Sequence, residues 1–265
     1  MSQAEPPVLV QREGPVVHVT LNRPARRNAI GGGMGEALDE LLDELRAHAT
    51  ARIVVLRGAG GHFCAGLDLT EVIAGTPEER LSAMQARNRR VGARFEEISN
   101  LPQVVIAAVE GAAHAGGLGF VCCADIAFAS ADARFAAPEA RRGLVPAQIL
   151  PWLARRMGRP AAARMVLEGG VISAEEASRR GLVHEIAADR AGLDALVAAS
   201  IAQLLEGAPG ALAETKKLLA ALGPLSPEGY AEAGAQAFGR TAAGPEAAEG
   251  IAAFREKRKP SWAQS

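Results

Sequence analysis

The sequence predicts an α/β fold, with a parallel-rich strand core wrapped by helices and a helical C-terminal region. Three observations predict it. Apolar strand-like runs alternate with helical periodicities as far as about residue 190, and only helical patterns follow. The chain of 265 residues is long enough to bury a large core with a helical appendage, divided into 1–195 and 196–265. Its 49% apolar and 22% charged residues match ordinary globular usage and argue against gross disorder.

Each element follows from its pattern. Val8-Leu9-Val10 and residues 16–21 are β-rich runs joined by Glu13-Gly14-Pro15, a hairpin signal. Asn22-Arg23-Pro24 ends the second run because proline cannot extend a ladder. Over 33–49 the apolar residues Met34, Leu38, Leu41, Leu42 and Leu45 recur at helical spacing. Residues 53–56 read as a strand leading into the glycine-rich loop 58–61. A long polar helix is expected over 77–100, with Pro102 stopping carry-over into the next strand. Residues 104–109 read as a strand, 117–124 as a short buried helix and 126–129 as another strand. After Pro138 the pattern is helical almost to the end, broken at Gly158-Arg159-Pro160, Gly169-Gly170, Gly207-Ala208-Pro209 and Gly223-Pro224. Within it 183–186 is the one late strand. Strand-strand-helix units recur twice without a sequence repeat. The Ala-rich amphipathic helices over 210–258 are suited to packing on the core or on a partner subunit.

Composition excludes several functions. The net charge is −1 with both signs interspersed, so no basic stripe invites nucleic acid, and 4% aromatic residues make a poor base-stacking platform. The three cysteines, Cys64 and the pair Cys122-Cys123, lack C-x-x-C spacing. Their odd count fits a reduced cytoplasm rather than a disulfide framework or a zinc site. Residues 1–7 lack the layout of a signal peptide. The most apolar stretch, 104–128, carries Glu110, His114, Asp125 and several glycines, which suits a buried strand-turn-helix-strand passage and not a membrane span. A soluble cytoplasmic protein is expected.

The chemistry-bearing candidates are few. Cys64-Ala65-Gly66-Leu67-Asp68 and Ala115-Gly116-Gly117 are small-residue turns, each placed shortly after an apolar strand. If the two converge, one N–H from each would cradle an oxyanion. Neither turn fits a P-loop or G-x-G-x-x-G, so a nicotinamide oxidoreductase is a weak rival. No His-Glu-x-x-His helix and no G-x-S-x-G elbow is present. His18 and His184 lie in strand runs as structural residues, while His114 stands just before the cradle and could line a pocket. Glu139 differs from the other carboxylates because small apolar residues precede it, a setting that raises a carboxyl pKa toward useful proton-transfer values. A surface bridge from Glu139 to Arg141 or Arg142 is the alternative.

These residues together resemble the crotonases, the enoyl-CoA hydratase/isomerase superfamily. Leu21-Asn22-Arg23-Pro24 with Asn28-Ala29-Ile30 resembles its N-terminal signature. Arg57-Gly58 through Phe63-Cys64-Ala65-Gly66-Leu67-Asp68-Leu69 resembles the first oxyanion segment. Val109-Glu110-Gly111 through Gly116-Gly117 to Ala124-Asp125-Ile126 resembles the second. Ala137-Pro138-Glu139 with Gly143-Leu144-Val145-Pro146 resembles the catalytic loop, and Ala174-Glu175-Glu176-Ala177 with Gly181-Leu182-Val183 the helix and strand after it. The motifs occur in the family's order over nearly the whole chain.

The resemblance implies a crotonase-type spiral of ββα turns with a C-terminal helical trimerisation region, as a homotrimer or dimer of trimers. It implies an acyl-CoA thioester substrate and no cofactor apart from the coenzyme A that the substrate carries. Leu67 and Gly116 would donate the oxyanion N–H groups, each worth roughly 3 kcal/mol in the transition state. Glu139 would be the acid/base. Arg26, Ala65, Asp68, Leu69 and Thr70 would contact the substrate's CoA portion. Two departures stand out. Gly119 occupies the position of the first of the two glutamates typical of hydratases, and Ala115 stands where glycine is usual, a change expected to preserve the turn. With Glu139 alone, a hydratase remains the reading. A Δ3,Δ2-enoyl-CoA isomerase is the chemical alternative, and a non-catalytic acyl-CoA-binding protein the rival of another class. The stretch around Glu139 also resembles hydratases of branched glutaconyl-type esters, where Arg141 or Arg142 could meet an extra substrate carboxylate.

Overall fold

The computed structural model describes residues 5–47, 50–68, 76–221 and 245–263. Its main sheet has six strands in the order β1-β2-β3-β4-β6-β9. β1 (Val8–Glu13) and β2 (Val16–Leu21) form the antiparallel hairpin, in register Val8 to Leu21. β3 (Ile53–Gly58), β4 (Val104–Val109), β6 (Ile126–Ser130) and β9 (Glu185–Ala187) then add in parallel. β4 is buried along its whole length, as a strand covered on both faces must be, and so reads as a continuous apolar run.

The pleat sorts the core into two layers. Val54, Leu56, Val105, Ala107 and Val109 face one cluster, whereas Ile53, Val55, Ile106 and Ala108 face the other. The first layer is covered by α1 (Met34–Ala47), α2 (Pro77–Ser99) and α3 (Gly116–Cys123). α1 buries Met34, Leu38, Leu41, Leu42 and Leu45, the positions that its periodicity marks. The second layer is covered by α7 (Arg190–Glu206) through Leu193 and Val197. Residue 195 therefore lies inside a continuous helix, and the run of C-terminal helices starts at Arg190.

A second sheet of three short strands, β5 (Ala112–His114), β7 (Arg134–Ala136) and β8 (Val171–Ser173), went unread in the sequence. Three residues are too few to display an alternation. β8 also corrects the expectation of one late strand. The other late strand begins at Glu185, so His184 lies just before it and not within it. His184 is still structural, because its Nδ1 accepts the Ala127 amide at 3.0 Å.

Beyond β7 come α4 (Leu150–Met157), α5 (Arg159–Glu168), α6 (Ala174–Arg179), α7, α8 (Pro209–Ala221) and α9 (Pro245–Glu256). Arg52 caps the C-terminus of α7, donating to the carbonyls of Leu205 (3.3 Å) and Gly207, and to Trp262 at 3.2 Å. Among the described residues no single helix is long and apolar enough to cross a membrane; only the pair α7 and α8, bent by 106°, passes by length and composition. The passage 104–128 is β4, β5, α3 and β6, a buried passage as expected but with the strand β5 where a turn was expected.

Candidate active site

The two glycine turns converge. The backbone after β3 runs beside β5 through a bridge between Cys64 and Ala113, with Cys64 N–H donating to Ala112 O and His114 N–H to Cys64 O, both at 2.9 Å. On its other side the same segment pairs with the N-terminal loop. Ile30 N–H donates to Gly66 O at 2.7 Å and Asp68 N–H to Ile30 O at 3.0 Å. This pairing uses the groups flanking Leu67 and leaves the Leu67 N–H without a backbone acceptor among the described residues. Gly116 opens α3, where first-turn N–H groups have no partner within the helix, and its own N–H also has no backbone acceptor among the described residues.

Close approach sets the glycines. A Cβ on Gly66, whose φ is +89°, would stand 2.7 Å from the Ala115 methyl and 3.2 Å from Gly116 N. One on Gly117 would stand 2.1 Å from Cys64 O. Only bare backbone lets the two turns come this near. Ala115 keeps the turn, as expected, but at φ +50° and ψ −119°. That conformation suits glycine and strains a residue with a Cβ. The change is therefore less mild than the sequence suggests.

Glu139 is carried to the same place by β7. His114 lies in register with Ala136, and Ala115 N–H donates to Ala136 O at 2.9 Å. Phe135, Ala136 and Ala137 are buried, so the chain leaves the core as Pro138-Glu139 and turns through a short 3-10 segment over Ala140–Arg142. The Glu139 carboxyl is half-buried, and among the described residues its Oε2 has neither solvent nor a hydrogen-bond partner. Burial holds its pKa above the ordinary carboxylate value, opposed in part by its own backbone N–H and by the charge of Arg142. The surface-bridge alternative fails for both arginines. Arg141 donates to Glu168 O at 2.7 Å and packs on Gly169, and Arg142 forms no ion pair with Glu139 among the described residues.

The structure gives a physical reason for Gly119. A Cβ there would stand 2.3 Å from the ring of Phe95, which reaches over from α2 and meets Phe120 edge-to-face at 5.4 Å. The space that a first glutamate would need is filled by a buried aromatic ring. The sequence marks the long helix around 84–95 as shaping the pocket but does not place Phe95 over Gly119. Its signal was the apolar spacing Val91, Phe95, Ile98 on an otherwise polar helix.

His114 does border the site. Its Nε2 is buried without a hydrogen-bond partner among the described residues. Burial first, then the charges of Arg142 and Arg27 and the ring of His62, hold its pKa below the ordinary imidazole value, so it is neutral at pH 7. The remaining candidates have defined roles. Asp68 is buried, and its carboxylate is held by Arg23 at 3.1 Å, which also donates to Ala29 O at 2.7 Å. Ala65 N–H donates to Arg27 O at 2.9 Å. Arg26 is exposed at the end of the 3-10 turn Pro24–Arg26. Leu69 and Thr70 lie outside the described residues. Buried Asn28 knits this loop together, accepting from Arg23 N–H at 2.8 Å and donating to the carbonyls of Ala59 and His62. Burial pushes the thiols of Cys64 and Cys122 up to about 12, which leaves them inert as nucleophiles. No cluster among the described residues could hold a metal ion.

The family model for enoyl-CoA hydratase/isomerase matches residues 11–265. A probable enoyl-CoA hydratase of Bacillus subtilis is 33% identical over 251 residues, covering 93% of this chain and 95% of the relative. The 2,3-dehydroadipyl-CoA hydratase of Escherichia coli is 34% identical over 261 residues, 96% of this chain and 98% of the relative. The solved structure of an enoyl-CoA hydratase/isomerase from Marinobacter aquaeolei superposes with a TM-score of 0.89 at 35% identity, covering 97% of this chain and 99% of that one. The fold is thus the crotonase fold, and the chain belongs to the enoyl-CoA hydratase/isomerase family.

Proposed function

We propose that this chain is an enoyl-CoA hydratase-type hydro-lyase that works through an oxyanion-stabilised thioester enolate with Glu139 as its one acid/base. The observation that carries the reading is the buried Oε2 of Glu139, unpartnered among the described residues, at a turn that Ala136 ties to the Ala115-Gly116 segment of the cradle, whose two N–H groups have no backbone acceptor among the described residues. A thioester oxygen accepting from Leu67 and Gly116 N–H gains most when negative charge develops on it. The N-terminus of α3 adds its positive end to the same point. Arg26 and the segment around Ala65 and Asp68 would meet the CoA portion of such an ester.

Hydration then asks two tasks of one carboxyl. Ionised Glu139 takes the proton of an attacking water, and the resulting acid returns a proton to the α-carbon of the enolate. The family's names for its relatives favour this reading. One observation favours the isomerase reading instead. Phe95 over Gly119 leaves an apolar wall where a second water-holding carboxylate would stand, and double-bond migration needs a single base working on two carbons.

The test is mass spectrometry of 2-enoyl-CoA and 3-enoyl-CoA esters incubated with the protein in heavy water. Gain of a whole water supports the hydratase. Deuterium uptake with double-bond migration and no added water supports the isomerase. No change on any ester would leave a non-catalytic acyl-CoA-binding protein. Glu139→Gln should lower turnover by about 10²- to 10⁴-fold while a saturated acyl-CoA still binds. Because the working base must be ionised and its pKa is raised, kcat/KM should climb with pH through a midpoint above the ordinary carboxylate value.

A further inference from the structure

A cavity opens at the end of the sheet away from the oxyanion cradle. The cradle stands beyond the C-terminal ends of β3 and β4, the side on which parallel sheets usually hold their ligands. At the other end the parallel strands β4, β6 and β9 begin. There Asp125 and His184, each one residue ahead of its strand, help to line a cavity of about 280 Å³. Trp152, Arg155 and Arg156 of α4 and Lys216 of α8 line it from the helices. α3 connects the two places. Gly116 opens it at the cradle, and Cys122-Cys123 end it at the cavity wall, about 10 Å away along the helix.

The hydrogen bonds around this cavity leave positive charge facing it. Asp125 Oδ2 accepts the Val105 N–H at 2.7 Å and pairs with Lys216 Nζ at 2.6 Å, and Lys216 also donates to Gln103 O. Asp125 is the one carboxylate among the described lining residues, and Lys216 neutralises it. Arg156 donates to Leu182 O at 2.9 Å and Ala124 O at 2.6 Å, carbonyls that orient the guanidinium without cancelling its charge. Its Nη2 stands 3.4 Å from Nδ1 of His184, which accepts the Ala127 N–H at 3.0 Å. With Nδ1 so engaged, the neutral imidazole carries its proton on Nε2. The Arg155 side chain makes no hydrogen bond or ion pair among the described residues. The thiols of Cys122 and Cys123 are buried and stay protonated, so they add no negative charge.

We propose that this cavity is a binding site for a compact dianionic oxyanion of the phosphate class, held by Arg155, Arg156 and His184. The two arginines supply the two positive charges that balance such an ion, and a guanidinium meets two of its oxygens with a pair of N–H donors. His184 donates through its Nε2–H, and Lys216 stays with Asp125. The volume selects the size. It falls just below the roughly 300–1,000 Å³ of sites for drug-sized ligands, so a single phosphate group fits and a whole nucleotide does not. The site stands apart from the acyl-CoA reading, which concerns the other end of α3.

Titration with inorganic phosphate at constant ionic strength tests the site, followed by calorimetry and by the indole N–H NMR signals of the two tryptophans. Potassium chloride is the control. Phosphate should saturate one site and move the signal of Trp152, which lines the cavity. Trp262, whose Nε1 donates to Glu206 O at 2.9 Å away from the cavity, should stay in place. Arg155→Gln should weaken phosphate by roughly 10- to 100-fold, the contribution of a hydrogen bond to a charged group, and Arg155→Lys should keep part of the affinity. Arg155 is exposed, and thermal midpoints equal to that of the unaltered protein establish that both variants are folded. Saturating acetyl-CoA should leave phosphate binding unchanged. Binding no stronger than that of chloride overturns the site. Full affinity in Arg155→Gln overturns it too, as does a Trp152 signal that stays still while phosphate binds. Competition by acetyl-CoA would place the phosphate beside the cradle, where CoA would lie, and overturn the cavity site.

Discussion

At the scale of single residues, Gly119 and Glu139 carry the proposed chemistry of the site. Gly119 is not an open position awaiting a side chain, because Phe95 occupies its space. Gly119→Glu should therefore restore no second acid. Forcing a side chain against a packed ring costs about 1–3 kcal/mol, and burying an unpartnered carboxyl adds to it. The expected outcome is a fall in unfolding free energy of about 3 kcal/mol or more, read by chemical denaturation, with no gain in hydration. A variant of wild-type stability and raised hydration would overturn this account of Phe95. The burial of Glu139 was legible in the sequence from the small apolar residues before it, of which Ala136 and Ala137 are themselves buried. The pairing of Asp68 with Arg23 was not legible. Forty-five positions separate the two, and nothing local distinguishes a carboxylate held by a distant arginine from one free to meet a ligand. The strain at Ala115 was hidden for a different reason: a residue type reports its cost only once φ is known.

At the scale of elements, α2 holds Phe95 in place and α1 holds α2. Asp39 on α1 accepts from Arg90 Nε at 2.8 Å and from Arg94 at 2.5 and 3.0 Å, and Arg94 is buried. Burial alone would raise the Asp39 pKa, but its bonds to Arg94 and Arg90 outweigh that and hold it below its ordinary value. A depressed carboxyl contributes its stability in full above the unfolded-state pKa and loses it as pH falls through the native one. The unfolding midpoint of the protein should therefore decline on acidification below about pH 4, and Asp39→Ala should flatten part of that decline. At neutral pH the same change leaves a buried guanidinium unpaired, at a cost of about 3 kcal/mol. Equal midpoints for both proteins at pH 7 would sink the clamp. The long elements were readable because their periods repeat several times. The sheet of β5, β7 and β8 was not, although it is the element that brings Glu139 to the cradle. Its strands are specified by their neighbours and carry no pattern of their own.

At the scale of the whole molecule, order along the chain was legible and assembly was not. The motifs fall in the sequence in the order in which the spiral lays them down, so the fold follows from them. Whether copies associate depends on surfaces that a single chain does not explain. Leu167, Val171 and Val145, large apolar side chains that follow Glu139 in the chain, are 78%, 60% and 76% exposed. We propose a trimer or a dimer of trimers, and light scattering on the purified protein should give a mass of three or six chains; a monomer would refute it. The bridge between Cys64 and Ala113 has a consequence for how the cradle can be watched. The amides of Cys64 and His114 are locked into that bridge, while those of Leu67 and Gly116, a few residues away on the same two segments, have no backbone acceptor to hold them among the described residues. In deuterium exchange the first pair should be protected in the empty protein and the second pair should exchange fast. Adding a saturated acyl-CoA should then slow only the second pair, turning two backbone positions into a direct report of an occupied oxyanion site without any turnover.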